Sequence, residues 1–420
     1  MANNRKIEVF ADWEGLDGPK LMGVLHVLPV KGREVFSFEY AKSWLASDML
    51  QQLDPDLQLY AGPQYLREER ENFGLFTDSS PDRWGRLLMR RREAALARQE
   101  KRALNTLRES DYLLGVYDGH RMGGLRFKIK GEQAFQNDNK ELASPPWTSL
   151  RALENASMKL EDEEAASDPA YMKWLQMLVA PGSSLGGARP KAGVVDPKGQ
   201  LWIAKFPSKL DEKNMGAWEM VAHEMAKASG INVATAKAQK FLGRHHTFLA
   251  KRFDRSASGQ RIHFASAMTM LGYNDGMSHE DGVSYLELAE FLMRFGESTN
   301  RDLEELWRRI VFSIAISNTD DHLRNHGFML GKQGWYLSPA YDMNPVEYAS
   351  GGLKLNISLD DNALDFELAM EVAPYFRVRT PRAKEILAQI SDVVSRWAVI
   401  AKKYGIARSE QEMMTPAFRW

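Results

Sequence analysis

The chain has 420 residues, of which 44% are hydrophobic and 26% charged, with 55 Lys+Arg against 56 Asp+Glu and a formal net charge of −1. At roughly 150 residues per domain this is enough chain for two or three domains, with a core that needs no disulfide or metal staple. The charge balance excludes bulk electrostatic capture of nucleic acid, though not a local basic patch. The lack of cysteine excludes disulfide frameworks, thiolate metal sites and cysteine nucleophiles, and fits a reducing compartment.

Met1 to Glu14 holds no apolar stretch of the kind a secretion signal needs, and no run approaches the ~20 apolar residues of a membrane span. The expectation is a soluble, cytoplasmic chain with no membrane association. Residues 6–40 alternate apolar and polar with glycine punctuation, which predicts short strands and turns. Ser80 as cap and Pro81 in the first turn predict a helix running through Leu87, Leu88 and Met89 into Arg90-Arg91-Arg92, a basic run expected to be a solvated face. Residues 129–170, with polar Gln133 to Asn139 and acidic Leu160 to Glu164, read as a linker or mobile insertion.

From residue 171 a small α/β lobe is expected. Gly182 to Gly187 is a Gly-rich loop, Leu201 to Phe206 a strand, Trp218 to Ala228 a helix closing at Gly230, and Phe248 to Phe253 another strand. Beyond residue 255 helical periodicity dominates, as in Leu303, Leu306, Trp307, Ile310, Val311 and Ile314. Thr380 and Pro381 open a long helix predicted to run to Tyr404, with Gly405 as its stop. The reading is therefore an α+β chain: a mixed front over 1–128, the linker or insertion over 129–170, the α/β lobe over 171–255 and a mostly helical lobe over 256–420.

The strongest chemical signal is Ser317-Asn318-Thr319-Asp320-Asp321-His322-Leu323-Arg324-Asn325. It follows an amphipathic helix and precedes two apolar runs joined by Gly331-Lys332-Gln333-Gly334, which deliver Tyr341-Asp342. A kinase catalytic loop sets an Asp base five residues before a metal-binding Asn, with a second metal Asp after a strand. Asp320, Asn325 and Asp342 have that spacing and order. The chemistry demands such a set, because the transferred phosphoryl carries dispersed negative charge, hard Asp and Asn oxygens suit Mg²⁺, and a separate carboxylate must face the acceptor hydroxyl. Upstream, the Gly-rich loop offers backbone N–H groups to phosphates, Lys205 stands on the next strand and Glu219 on the next helix as its expected ion-pair partner. Taken singly, each feature has a plainer structural reading. Their order along the chain carries the weight.

At these residues the sequence resembles the HipA family of serine/threonine kinase toxins. The likeness runs through Phe73 to Gly85, Asp111 to Val116, Gly124 to Phe127, the Ser184 loop, Lys205-Phe206-Pro207, Arg252-Phe253-Asp254-Arg255, Thr319 to His322 and Tyr341-Asp342. The resemblance implies a HipA-like kinase fold using ATP and Mg²⁺, with Asp320 as base and Asn325 and Asp342 as metal ligands. Gly186, Gly187, Ala188, Arg189, Pro190 and Lys191 would wrap the phosphates and Lys205 would touch them. Lys251, Arg252 and Phe253 would form the hinge at the adenine, and His322, Leu323, Arg324 and Tyr341 would complete the nucleotide site. Ser184, or Ser183 beside it, would be autophosphorylated and silence the enzyme. The family also implies an aminoacyl-tRNA synthetase as protein substrate, a HipB-like helix-turn-helix antitoxin, and operator DNA reached through the antitoxin complex. Asp321 departs from the glycine often found there, and Lys251 from a commoner acidic residue.

Three other readings draw on the same residues. One is a small-molecule or lipid kinase with the same metal set, and another a chain acting mainly as transcriptional co-repressor. The third is a metallohydrolase built from Asp320, Asp321, His322 and His326, which has no paired-ligand motif behind it. The basic segment Phe376 to Lys384 reads first as a solvated helix end and second as a contact to DNA phosphates.

Overall fold

The structure is a computed structural model that describes residues 4–48, 51–66, 70–179, 187, 189–349 and 351–420. In chain order the strands are β1 (Arg5–Ala11), β2 (Lys20–Val30), β3 (Arg33–Tyr40), β4 (Pro63–Tyr65), β5 (Leu125–Ile129), β6 (Lys191–Val195), β7 (Leu201–Lys205), β8 (Ala236–Gln239), β9 (Thr247–Lys251), β10 (Phe264–Ser266), β11 (Gly327–Leu330) and β12 (Trp335–Leu337). The helices are α1 (Lys42–Leu45), α2 (Gly74–Thr77), α3 (Arg83–Gln99), α4 (Glu109–Gly115), α5 (Leu150–Leu160), α6 (Tyr171–Leu178), α7 (Met215–Ala228), α8 (Ala267–Met270), α9 (Tyr285–Phe295), α10 (Thr299–Ala315), α11 (Phe366–Val372), α12 (Thr380–Ser395), α13 (Trp397–Lys403) and α14 (Arg408–Met414). The fold class is α+β. Two compact units form, one from Met1–Lys209 with Lys251–Ala265 and the other from Leu210–Ala250 with Ser266–Trp420.

The first unit is built on an antiparallel sheet in the order β4-β3-β2-β1-β5. Alternation puts Ile7, Val9 and Ala11 of β1, Leu25 and Val27 of β2, and Phe36 and Phe38 of β3 in the core, where Phe38, Phe76 and Phe127 meet with ring centroids 5.6 and 6.0 Å apart. Gly23 lets β2 lie this close to β3, since a Cβ there would fall 2.4 Å from the Glu39 carbonyl oxygen. Helix α3 starts later than Ser80 and Pro81 suggest. The Ser80 hydroxyl is spent on the Phe76 carbonyl (2.8 Å), and Asp82 is the cap, accepting from Gly85 N–H at 2.8 Å. The segment read as a linker or insertion holds α5 and leads into α6, with Leu150, Leu153, Ala156, Leu160, Tyr171 and Leu175 buried. Arg91 donates to the Leu160 carbonyl at 2.8 Å and Val195 N–H to the Pro145 carbonyl at 3.0 Å, which stitches that segment to α3 and β6.

Two buried polar anchors order the same unit. Arg121 is fully buried and donates to four backbone carbonyls, of Leu113 (2.7 Å), Ser79 (2.9 Å), Val116 (2.9 Å) and Gln136 (3.0 Å). Asp254 takes the Arg252 guanidinium on both oxygens (2.8 and 2.6 Å), together with Arg255 (2.6 Å) and Gly123 N–H (2.9 Å).

In the second unit α10 is the central helix. Its face of Leu303, Leu306, Trp307, Ile310, Val311 and Ile314 is buried, and Trp307 Nε1 donates to the Ala369 carbonyl at 2.8 Å. β8 and β9 form one antiparallel hairpin, and β11 and β12 another, closed where Gly331 N–H meets the Gly334 carbonyl at 2.8 Å. The single helix expected from Thr380 to Tyr404 is two, α12 and α13, broken at Arg396. The Asp392 carbonyl is taken by the Ser395 hydroxyl (2.8 Å) and Arg396 Nε (3.1 Å), a side-chain competition that interrupts the helical ladder. The apolar seam continues across the break, and Trp397 stacks on Phe418 at 4.4 Å.

Asp54 gives the first unit a pH signature. Burial pushes its carboxyl up to about 6, against the opposing pull of backbone N–H bonds from Leu75 and Asp56 (both 2.8 Å). A carboxyl raised in the folded state stabilises fully below its unfolded value and loses that contribution as pH rises through the folded one. The chain is expected to lose about 2–3 kcal/mol of stability between about pH 4 and pH 6 through this group. Urea midpoints of wild type and Asp54→Asn across that range check it, with a flatter slope expected in the variant.

Candidate functional site

The loop after α10 is set by how that helix ends. Ser317 N–H donates to the Ile314 carbonyl (3.2 Å) and Asn318 N–H to the Ser313 carbonyl (2.8 Å), the two bonds of a Schellman close. Ser317 stands where glycine is usual, at φ 51°. Its strained backbone is held because Arg419 Nε donates to its hydroxyl (3.1 Å) while Arg419 N–H covers the Ala315 carbonyl (2.8 Å).

The chain then turns through Thr319 and leaves Asp320 exposed. His322 N–H donates to the Asp320 carbonyl (3.0 Å) and Asn325 N–H to the His322 carbonyl (2.8 Å). The Asn325 amide closes the loop by donating from Nδ2 to the Asp320 carbonyl at 3.0 Å. Its Oδ1 is thereby left buried with no hydrogen-bond partner among the described residues. A buried amide oxygen without a donor is costly, and it is the hard oxygen that Mg²⁺ or Ca²⁺ takes.

The β11–β12 hairpin returns the chain to this loop. The Tyr341 hydroxyl donates to the Arg324 carbonyl at 2.7 Å, and Asn344 N–H to Asn318 Oδ1 at 3.3 Å. Asp342 lies between these two ties at φ 58°, a second left-handed residue that is not glycine, and its Oδ1 accepts from Asn344 Nδ2 at 3.3 Å. Asp320, Asn325 and Asp342, expected together from spacing, are thus carried on one stitched pair of segments within the second unit. His322 and Arg324 are half-buried there and Leu323 is buried.

Asp321 is buried beneath the loop. Its Oδ2 accepts from the Tyr285 hydroxyl (2.6 Å) and the Ser313 hydroxyl (3.3 Å), and its Oδ1 lies 3.0 Å from His326 Nε2. Burial alone would raise this carboxyl, but the His326 and Tyr285 interactions outweigh it and hold it below the usual carboxylate range. Burial, with Asp321 alongside, drives the Tyr285 phenol well above its ordinary value, so it remains a donor. Asp321 and His326 therefore serve each other. Among the described residues no group of three or more His, Cys, Asp or Glu is placed to hold a metal ion, so the hydrolase reading gains no ligand set.

The first unit carries the remaining candidates. Ser183, Ser184, Gly186 and Ala188 lie outside the described residues. Gly187 is exposed, Arg189 half-buried and Pro190 buried. Lys191 is buried on β6, in register opposite Lys205, which is half-buried at the end of β7. Lys251 and Phe253 are half-buried, and Phe253 packs on Phe264 at 5.8 Å. Arg252 offers only its backbone to a ligand, because its guanidinium is committed to Asp254 and to the His120 carbonyl (2.5 Å). In the second unit's basic segment, Arg382 is engaged by Glu304 and Glu385 (2.8 and 3.0 Å) and Arg377 by Asn300 (2.8 Å). Sequence reasoning gave no role to Asp82, Tyr285 or Asp254. Only the Arg-Phe-Asp-Arg alternation, which puts Arg252 and Asp254 on one side of the chain, hinted at the last.

A family model described as the HipA-like C-terminal domain matches residues 183–397, half of the chain, and the chain belongs to that family. The chain is 27% identical over 183 residues to a Haemophilus influenzae protein named "Putative kinase", a match covering 39% of this chain and 53% of that one. It is 26% identical over 181 residues to "Putative kinase Y4mE" of Sinorhizobium fredii, covering 38% and 41%. The chain thus spans about half the length of the curated relatives it matches. Its fold is that of HipA from Shewanella oneidensis MR-1, solved with HipB and operator DNA, at a TM-score of 0.64 and 17% identity over 98% of this chain and 94% of that one.

Tyr285→Phe removes one donor from a buried carboxylate. It is expected to cost about 1.5–3 kcal/mol, the range for a hydrogen bond to a charged group, read as a lowered urea midpoint.

Proposed function

We propose that the chain is an ATP- and Mg²⁺-dependent serine/threonine protein kinase acting as a growth-inhibiting toxin. The observation that carries this reading is the Asp320–Asn325 loop. Asp320, the base expected from spacing, is exposed, while the amide five residues on is turned so that its oxygen, without a hydrogen-bond partner among the described residues, is buried and available to a cation. Asn325 and Asp342 would hold Mg²⁺, which when bound neutralises phosphate charge. Asp320 accepts the proton of the attacking hydroxyl. The Asp321–Tyr285–Ser313 bonds keep the loop beneath it fixed.

Lys205, the Gly-rich loop from Gly186 to Lys191, the Lys251-Arg252-Phe253 strand, and His322 to Asn325 with Tyr341 would supply the nucleotide site. The natural substrate would be a protein, an aminoacyl-tRNA synthetase on family resemblance. A HipB-like antitoxin would neutralise the chain and carry it to operator DNA, in keeping with the assembly in which the Shewanella HipA was solved. The pairing of Arg382 with Glu304 and Glu385 favours DNA contact through the antitoxin over direct contact by the Phe376 to Lys384 segment. A cytoplasmic location is part of this reading. Among the described residues no helix is long and apolar enough to cross a membrane.

Incubation of the chain with γ-labelled ATP and a cell lysate tests the reading, with label expected on a discrete protein and not on small molecules or lipids. Asp320→Asn is expected to abolish transfer while ATP still binds, whereas Asp342→Asn is expected to weaken Mg²⁺-dependent ATP binding as well. Normal turnover in Asp320→Asn would sink the assignment. Preincubation with Mg-ATP is expected to place phosphate on Ser184 or Ser183, read by mass spectrometry, with a time-dependent loss of ATP binding that Ser184→Ala does not show.

A further inference from the structure

Lys191 closes the Gly-rich loop, where a basic residue is naturally read as a phosphate contact. Its surroundings within the first unit say otherwise. The ammonium donates to Asp82 Oδ2 at 2.9 Å and to the Gly187 carbonyl at 2.8 Å, and the two side chains are only 5% and 2% exposed. Asp82 is itself fixed, because its other oxygen caps α3 at Gly85 N–H. The strand backbone at the lysine is held as well, by Trp84 Nε1 on the Lys191 carbonyl (2.9 Å) and by Phe206 N–H on the Pro190 carbonyl (2.9 Å). Reaching a phosphate would require the ammonium to leave Asp82 and strand a buried carboxylate, a change that buried pairs resist strongly.

We propose that Lys191 is a positioning residue: a buried strut that ties the Gly187 end of the Gly-rich loop to the cap of α3, and not a ligand of the triphosphate. The inference rests on the nucleotide reading above and deepens it. A loop that binds phosphate through backbone N–H groups must hold them in one orientation, and each ordering step made before the ligand arrives is one that binding no longer has to supply. The strut does this from beneath. Gly187 emerges at the surface while the group that fixes its carbonyl stays inside. Trp84 and Asp82, both in the first turn of α3, grip the strand from its carbonyl and its side chain respectively.

The experiment compares wild type, Asp82→Asn, Lys191→Met and the double variant by thermal melting and by titration with a fluorescent ATP analogue in the presence of Mg²⁺. Asp82→Asn keeps the capping oxygen and the volume, and Lys191→Met keeps the aliphatic stem. Both single variants are expected to melt lower, and affinity to fall about tenfold in Lys191→Met and about threefold in Asp82→Asn. The double variant leaves no unpaired charge, so its melting point is expected to recover, whereas its affinity stays low because Gly187 remains untethered. If the single variants fail to fold, the double variant alone decides. Recovery of affinity together with melting point would show a merely structural pair and overturn the inference. So would wild-type affinity in Lys191→Met, or a loss in Lys191→Met that Asp82→Asn does not share, which marks a direct phosphate ligand. A wild-type chain that binds no analogue overturns the nucleotide reading and this inference with it, whereas a binding wild type matched by every variant overturns the inference alone.

Discussion

The loop that carries Asp320 and Asn325 hangs on one buried carboxylate. Asp321 receives the Tyr285 hydroxyl from α9 and the Ser313 hydroxyl from α10, and lies against His326, which leads into β11. Three successive elements therefore meet at a single charge. The residue before it is free to face solvent because the residue itself is not. A buried carboxylate is tolerated only where donors surround it, so the position of Asp320 follows from how well its neighbour is satisfied.

Backbone strain is the second theme. Ser317 and Asp342 both occupy left-handed conformations without being glycine, and both flank the loop that carries Asp320 and Asn325. Each is overdetermined by its surroundings, the first by Arg419 and the Schellman bonds, the second by ties at Tyr341 and Asn344. Strain that persists because neighbours enforce it is a mark of a position whose geometry matters. At Asp342 it aims a carboxylate that a relaxed strand end would carry elsewhere.

The loop, the hairpin after it and α10 were legible in the sequence because each rests on local spacing: a fixed interval from Asp320 to Asn325, apolar runs about a glycine turn, and a clean helical stripe. What was not legible depended on tertiary competition for a single group. Ser80 and Asp82 are both good caps, and the choice falls to Asp82 because the Ser80 hydroxyl is taken by Phe76 while Lys191 fixes the aspartate. The break between α12 and α13 is invisible to periodicity, since the apolar seam crosses it and the cause is one contested carbonyl at Asp392. In the linker reading, polar and acidic flanks masked the buried stripe of α5. The anchoring of Asp321 was hidden because its partner Tyr285 lies 36 residues upstream.

The cage around Arg121 bears on how the first unit assembles. One guanidinium gathers carbonyls from Ser79, from Leu113 and Val116 at the end of α4, and from Gln136, which belong to three separate stretches of chain. None of those bonds rewards an early, partial structure, because a fork half filled in a dry interior is worse than one left in water. The cage therefore couples those stretches into one cooperative block. Lysine, a point charge on a flexible stem, has no planar fork with which to do the same. Amides near these four carbonyls should accordingly exchange with solvent together, at the rate of a single shared opening rather than segment by segment.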